Sequence, residues 1–336
     1  MKLASLLLAA LAGDVKVEWR APAALLQGES FKAEIAIQAP EGGAKVASWM
    51  VTPAAFEVDG KPLGERTGAD IDLPSGFTLV GEVDLTAHLK ASKGFKLTHA
   101  SGQGGATDVR LLTPAPAGLN FMDENAMPVA ELANYQVLLR TNQGDILLEM
   151  WPEVAPKHVR NYLDLVSVKF YDGLLFHRVI PGFMIQGGDP TGTGGGDGPR
   201  KLPGEFTKIT IKSLGDSGST EYKVGEVHGY DVAAKLMQLN GRLQEQGKRP
   251  IEYRGERSHT PGVLSAARTA DPNSASCQFF IMHGDAWALD GQYSAFGKTV
   301  YGLEVVDRIV NAKRDRRDKP SEPQRIERAI VLKASK

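Results

Sequence analysis

The strongest constraint on this chain is a period of two. Between Val15 and about Leu112, "VKVEW", "FKAEIAIQ", "FTLVGEVDLTAHL" and "DVRLL" alternate apolar and polar residues. Successive side chains of a strand point to opposite faces, so this alternation buries one face and wets the other. Clusters rich in Gly, Pro and Asp separate the runs: "APEGG", "VDGKPLGERTG", "LPSG" and "ASGQGG". Such clusters turn the chain, because Gly admits positive φ and Pro presets its own φ. Short strands at this spacing predict an antiparallel β-sandwich of immunoglobulin-like type for residues 13–113. It would lack the cysteine pair of antibody domains, since Cys277 is the chain's one cysteine. His88 and His99 are isolated within this region and read as surface or sheet residues rather than ligands.

A length of 336 residues fits about two domains. The first residues, "MKLASLLLAALAGD", carry one basic residue, then the apolar run Leu3 to Ala12, which ends in Ala10-Leu11-Ala12 before Gly13. This is a secretory signal pattern over residues 1–12, and it predicts a periplasmic or secreted product. The run is too short to span a bilayer, and no later stretch approaches 18 apolar residues, so no membrane span is expected. Net charge is −1, which supplies no global basic field for nucleic acid.

"TPAPAG", Thr113 to Gly118, predicts a linker over residues 114–130, with a second domain over 131–336. That domain opens with "YQVLLRTNQGDILLEMW", two strands around an Asn142-Gln143-Gly144 turn. A helix follows: Pro156 suits a first turn, and Val159, Tyr162, Leu163 and Val166 share one face. A second helix is expected near Leu303 to Val310, then a solvated loop at "AKRDRRDKPSEP" and a closing strand, "IERAIVLK". Residues of about 207–258 read as a helical insertion, with Val232, Leu236, Leu239 and Leu243 forming a narrow apolar seam.

Several chemistries have no support. "GTGGGDG", Gly192 to Gly198, continues into Pro199-Arg200 and lacks the Gly-Lys-Ser/Thr of a phosphate loop, so it reads as a flexible surface loop. There is no H-E-x-x-H and no G-x-S-x-G. Cys277, beside the apolar run of "SASCQFFIM", reads as a buried inert thiol. No metal and no cofactor is expected.

Three stretches remain: "FHRVIPGFMIQGGDP" (Phe176 to Pro190), "HTPGVLSAARTADPNSASCQFFIM" (His259 to Met282) and "ALDGQYSAFGKTVYGLEVVDRI" (Ala288 to Ile309). Together they resemble the cyclophilin family of peptidyl-prolyl isomerases, from about Tyr135 to Leu332. The resemblance implies a closed eight-stranded antiparallel barrel capped by two helices, with the site on its outer face. It implies that Arg178 is catalytic, that Phe183, Met184, Phe280 and Leu289 receive the proline, and that Ile180 and Tyr293 also bind the substrate. It further implies that Gln186, Gln278, Ala267, Arg268, Thr269 and Gly192 bind the peptide. Arg268 stands where eukaryotic members usually carry Asn. Ala288 stands where cyclosporin-sensitive members carry Trp, with Trp287 one place earlier.

The chemistry is consistent with such residues. Rotation about an X-Pro bond breaks no covalent bond, so neither nucleophile nor metal is required. The partners expected are proline-containing polypeptides, with no nucleic acid. The other class open to this sequence is a binding module that holds proline-containing chains with little turnover, presented by a β-sandwich adaptor.

Overall fold

The computed structural model describes residues 15–22, 24–89, 94–206, 210–215, 218–223, 241–242, 244–247 and 257–334. The expected leader at 1–12 and the apolar seam Val232, Leu236, Leu239 and Leu243 lie outside the described residues. The chain divides into two compact units, Met1–Thr113 and Pro114–Lys336.

The first unit is built from short strands, as its alternation requires: β1 Lys16–Arg20, β2 Ala24–Leu26, β3 Lys32–Gln38, β4 Ala44–Ala47, β5 Phe56–Val58, β6 Lys61–Pro62, β7 Asp70–Leu73, β8 Thr78–Asp84, β9 Phe95–His99 and β10 Ala106–Pro114. Strands β1, β3 and β8 pair antiparallel in that order. A second set runs β10, β9, β5, β6, with β2 joined parallel to β10, and β4 pairs with β7. Val17, Trp19, Ile35 and Ile37 from the first set share one core with Phe56, Leu97 and Val109 from the second. Gln103, in a turn, ties the start of the unit down. Its side chain accepts from Val17 N (2.8 Å) and donates to Val15 O (2.9 Å), and its carbonyl accepts from Trp19 Nε1 (3.0 Å). His99 is buried, with its ring between Ser101 Oγ and Met50 O.

The second unit contains β11 Tyr135–Thr141, β12 Gly144–Met150, β13 Arg178–Ile180, β14 Met184–Gly187, β15 Thr210–Gly215, β16 Gly218–Lys223, β17 Val263–Ala266, β18 Phe279–Met282, β19 Ala295–Tyr301 and β20 Ile326–Lys333. Its helices are α1 Val129–Leu132, α2 Pro156–Ser167 and α3 Leu303–Val310. Eight strands form one antiparallel sheet in the order β13, β14, β18, β17, β19, β12, β11, β20. Backbone bonds also join the segment before β13 to the start of β20: Gly173 N to Ile326 O (2.7 Å), Ile326 N to Leu174 O (2.8 Å) and Phe176 N to Gln324 O (2.8 Å). Val159, Tyr162, Leu163 and Val166 of α2 all enter the interior core, as do Val305, Val306, Ile309 and Val310 of α3.

Two expectations need correction. Residues 114–130 are not a free linker. Phe121 is 1% exposed and Met127 5%, and both join the interior core. Arg160 of α2 is itself buried, and its guanidinium donates to Phe121 O (2.8 Å) and Met127 O (2.7 Å). A buried guanidinium needs acceptors, and this irregular segment supplies them. The insertion is not wholly helical either. Its described beginning is the β15–β16 hairpin, with helical residues at 241, 242, 244 and 245.

Candidate active site

The site grows out of strand alternation. In β13, Val179 is fully buried while Arg178 faces outward. In β14, Ile185 joins the interior core while Met184 joins a second apolar cluster on the opposite face of the sheet. In β18, Phe279 points in and Phe280 points out. Register sets these residues side by side: Arg178 lies opposite Gln186, Gln186 opposite Phe280, and Phe280 opposite Ser265. Directly opposed side chains are close enough to interact, about 4.5–5.5 Å between Cβ atoms.

The outer cluster consists of Trp151, Met184, Val263, Phe280, Met282 and Ala295. Ile180, Phe183, Ala267, Leu289 and Tyr293 are partly buried against it. The Tyr293 ring meets Phe280 edge-on, with centroids 5.8 Å apart. His259 stacks on Phe280 at 6.0 Å and is locked by Asp290 Oδ1 (2.7 Å) and Ser265 Oγ (2.9 Å). Arg268 carries its guanidinium 4.4 Å from the Tyr293 ring centre and donates to Gln292 O (2.9 Å) and Thr269 O (2.8 Å). The Arg268 side chain thereby joins the 267–270 segment to the Tyr293 wall.

A polar pocket of about 160 Å³ adjoins this wall, lined by Gln186, Gly194 to Asp197, Ala267, Arg268, Thr269, Ser274, Ser276 and Gln278. Gln186 Nε2 donates to Gln278 Oε1 (3.1 Å), and Gln278 Nε2 donates to Gly194 O (3.0 Å) and Gly196 O (2.8 Å). The two glutamines therefore hold the glycine loop against the sheet. Gly192 does not line this pocket; it sits at the loop's entry, its N–H donating to Asp189 O (3.2 Å).

The loop is not free, contrary to the expectation from its glycines. Asp189, 1% exposed, takes donors from Thr191 N (2.7 Å), Thr193 N (3.0 Å) and Gly194 N. Burial works against its charge, but these donors overcome that and hold the carboxyl at about 2. Asp189 is thus occupied, and it is not the partner of Arg178. The carboxylate beside Arg178 is Asp318, with Nε 3.8 Å from Oδ2, and Val179 N donates to Asp318 O (2.8 Å). Sequence reasoning missed Asp318, because it stands in a run of mixed charges that read as solvated.

Residues Trp287–Leu289 form a 3₁₀ turn rather than an extended segment. A shift of one residue there rotates the side chain by about 120°. Trp287 is 57% exposed, while Leu289 packs on the outer cluster. Cys277 is buried, and burial pushes its thiol up to about 11, which leaves it a poor nucleophile at neutral pH. Among the described residues no group of three or more His, Cys, Asp or Glu could hold a metal, and no helix is long and apolar enough to cross a membrane.

The outer face of this antiparallel sheet thus carries an apolar wall edged by Gln186, Gln278 and Arg178. The family model described as cyclophilin type peptidyl-prolyl cis-trans isomerase/CLD matches residues 136–331. The chain is 36% identical over 196 residues to the peptidyl-prolyl cis-trans isomerase ppi1 of Schizosaccharomyces pombe, covering 58% of this chain and 98% of that one. It is 33% identical over 199 residues to a probable peptidyl-prolyl cis-trans isomerase of Brucella suis, covering 58% and 81%. A Cryptosporidium parvum cyclophilin crystallised in the presence of the dipeptide Ala-Pro is 27% identical, with a TM-score of 0.43, covering 60% of this chain and 99% of that one. The chain belongs to the cyclophilin-type peptidyl-prolyl cis-trans isomerase family, and its second unit has the cyclophilin fold. It is an isomerase of X-Pro peptide bonds.

Proposed function

We propose that Arg178 is the catalytic residue of this isomerase and that the outer apolar cluster holds the proline ring. The observation that carries the reading is the row Arg178, Gln186, Phe280, which puts one guanidinium at the border of an apolar wall. Resonance blocks rotation with a barrier of about 18–20 kcal/mol. As the bond twists, the proline nitrogen loses conjugation and regains a lone pair. A donor aimed at that lone pair binds the twisted state more tightly than either planar isomer, which is what lowers a barrier. Arg suits this, being always charged and presenting five donors in a rigid fork. Ile180, Phe183, Met184, Phe280, Leu289 and Tyr293 fix the ring and exclude water that would otherwise hydrate the nitrogen. Gln186, Gln278 and the segment Ala267, Arg268, Thr269 bind the flanking backbone in the polar pocket. Asp318 restrains the guanidinium, its Oδ2 3.8 Å from Arg178 Nε.

Arg178→Ala should lower kcat/KM by about 10²–10³-fold in a protease-coupled proline-peptide assay, in line with the loss of one transition-state donor. Its melting temperature should barely move, because an exposed ion pair contributes roughly 0–1 kcal/mol. Full activity in the folded variant would remove this mechanism. It would leave the alternative of a binding module, which no specific observation favours.

Three finer features belong to the same reading. The bonds between Gly173–Phe176 and Gln324–Ile326 support closure of the eight strands into a barrel. The shared core of the two strand sets in the first unit supports a β-sandwich there. The pattern of residues 1–12 supports export, with proline-containing polypeptides of the periplasm or exterior as substrates; N-terminal sequencing of the mature chain would read the processing site.

A further inference from the structure

The run "AKRDRRDKPSEP" is a built hairpin rather than loose surface. Asp315 Oδ1 accepts from Arg317 N (2.8 Å) and Lys319 N (3.0 Å), and Asp315 N donates to Lys319 O (2.9 Å). Arg314 bridges to Pro320, and Ser321 N donates to Lys313 O (2.7 Å). The hairpin is fastened to the site strand by the bond from Val179 N to Asp318 O, one residue from Arg178. Within residues 313–321 Asp315 accepts from backbone N–H groups and Asp318 lies between Arg178 (3.8 Å) and Arg314 (3.5 Å); a third acid of the run, Glu322, follows at its end. Lys313, Arg316, Arg317 and Lys319 are exposed, and among the described residues none has a carboxylate partner. The chain as a whole carries −1, so this cationic edge is local.

We infer that the hairpin of residues 313–321 is a recognition element that selects proline-containing polypeptides with acidic residues flanking the proline. The inference rests on the isomerase reading above and names a substrate class for that same site. The backbone of the hairpin is fixed by Asp315 and by Val179, so capture of an acidic segment has only the cationic side chains left to order, not the hairpin itself. The hairpin is fastened beside Arg178, so its cations stand next to the end of the apolar wall that the arginine borders. Cations there raise the local concentration of anionic segments and speed their capture. Asp318 is shared between two guanidinium groups, and the five cations of residues 313–321 outnumber Asp315 and Asp318.

The test uses the full chain and prolyl peptides that differ only in the two residues beside the proline, Glu-Glu, Gln-Gln or Lys-Lys, placed on its N-terminal or C-terminal side. On one of the two sides, kcat/KM should favour Glu over Gln by about 3–10-fold at low salt, the scale of one or two exposed ion pairs. The preference should shrink towards unity near 1 M salt, where the screening length falls to about 3 Å. The double variant Arg316→Glu, Arg317→Glu should reverse the order to favour Lys, with turnover of the Gln peptide unchanged. Turnover of the Gln peptide by the unaltered chain reports the isomerase reading separately. Equal kcat/KM for the three peptides on both sides, in an enzyme that turns over the Gln peptide, overturns the inference alone. So does a Glu preference that survives high salt.

Discussion

Phe279 and Phe280 are neighbours in one strand, yet they serve different cores. Phe279 is 1% exposed and packs edge-on against Tyr162, Tyr171 and Phe176 in the interior, a cluster covered by α2 and α3. Phe280 is 5% exposed and packs with Tyr293 and His259 in a smaller cluster whose rim residues, Ile180, Phe183, Leu289 and Tyr293, are only partly buried. The interior cluster is closed by the chain's own helices. The outer one ends in a row of polar groups, Arg178, Gln186 and Gln278. The same residue type therefore joins the interior core on one face and the proposed proline wall on the other, and position within the pleat decides which.

The comparison can be broken hardest from the start of the unit. A fragment beginning at Glu131 loses Phe121 and Met127 from the interior cluster and strips Arg160 of both carbonyl acceptors. Deleting a buried aromatic costs about 3–5 kcal/mol. Leaving a buried charge unpaired costs about as much again. Together these rival the stability of a typical domain, about 5–15 kcal/mol. The fragment from Glu131 should be unfolded where one from Pro114 is folded, as read by urea titration. Matching midpoints would mean that Phe121 and Arg160 carry no weight.

The paired substitutions come next. Phe279→Ala should cost about 3–5 kcal/mol of unfolding free energy. Phe280→Ala should cost less stability while lowering kcat/KM by about 10–100-fold, as one side of an apolar pocket is lost. Unfolding curves and proline-peptide kinetics on both variants separate the two faces. Equal stability losses with equal activity losses would merge the clusters into one core.

The smallest effect probes the rim. Asp189 is held at about 2 in the folded chain, against about 3.9 when unfolded. A depressed folded value stabilises the protein fully above the unfolded value, and the gain is lost as pH falls through the folded one. The contribution is about 2–3 kcal/mol at pH 7. Asp189→Asn should therefore be less stable than the parent at pH 7, with the gap closing between about pH 5 and pH 2. A gap independent of pH would assign the loss to packing rather than charge.

Much of this arrangement is written in the sequence. The wall and its arginine are legible through the family resemblance that "FHRVIPGFMIQGGDP" and "SCQFFIM" carry; alternation alone does not give them, since Phe279 to Met282 is apolar throughout and only the strand pleat divides it between two faces. The face of α2 is legible from spacing, through Val159, Tyr162, Leu163 and Val166. What failed depended on partners far along the chain. "TPAPAG" reads as a linker because Pro and Gly mark it, while the pull of Arg160 on Phe121 O and Met127 O acts across more than 30 positions. Asp189 and Asp318 lie in stretches dominated by glycine or by opposed charges, and only the backbone geometry around them reveals which groups they engage.

Strand β11 pairs with β12 across a short turn and, on its other edge, with β20: Tyr135 meets Lys333, 198 positions later. Polypeptides leave the ribosome at about 5–20 residues per second, so that edge waits roughly 10–40 s for its partner. For that interval the nascent chain presents Val137, Leu138 and Leu139 beside an unpaired row of backbone donors and acceptors, a surface open to other chains. An isomerase of X-Pro bonds, by the order of its own strands, thus keeps one sheet edge open until nearly the end of its synthesis.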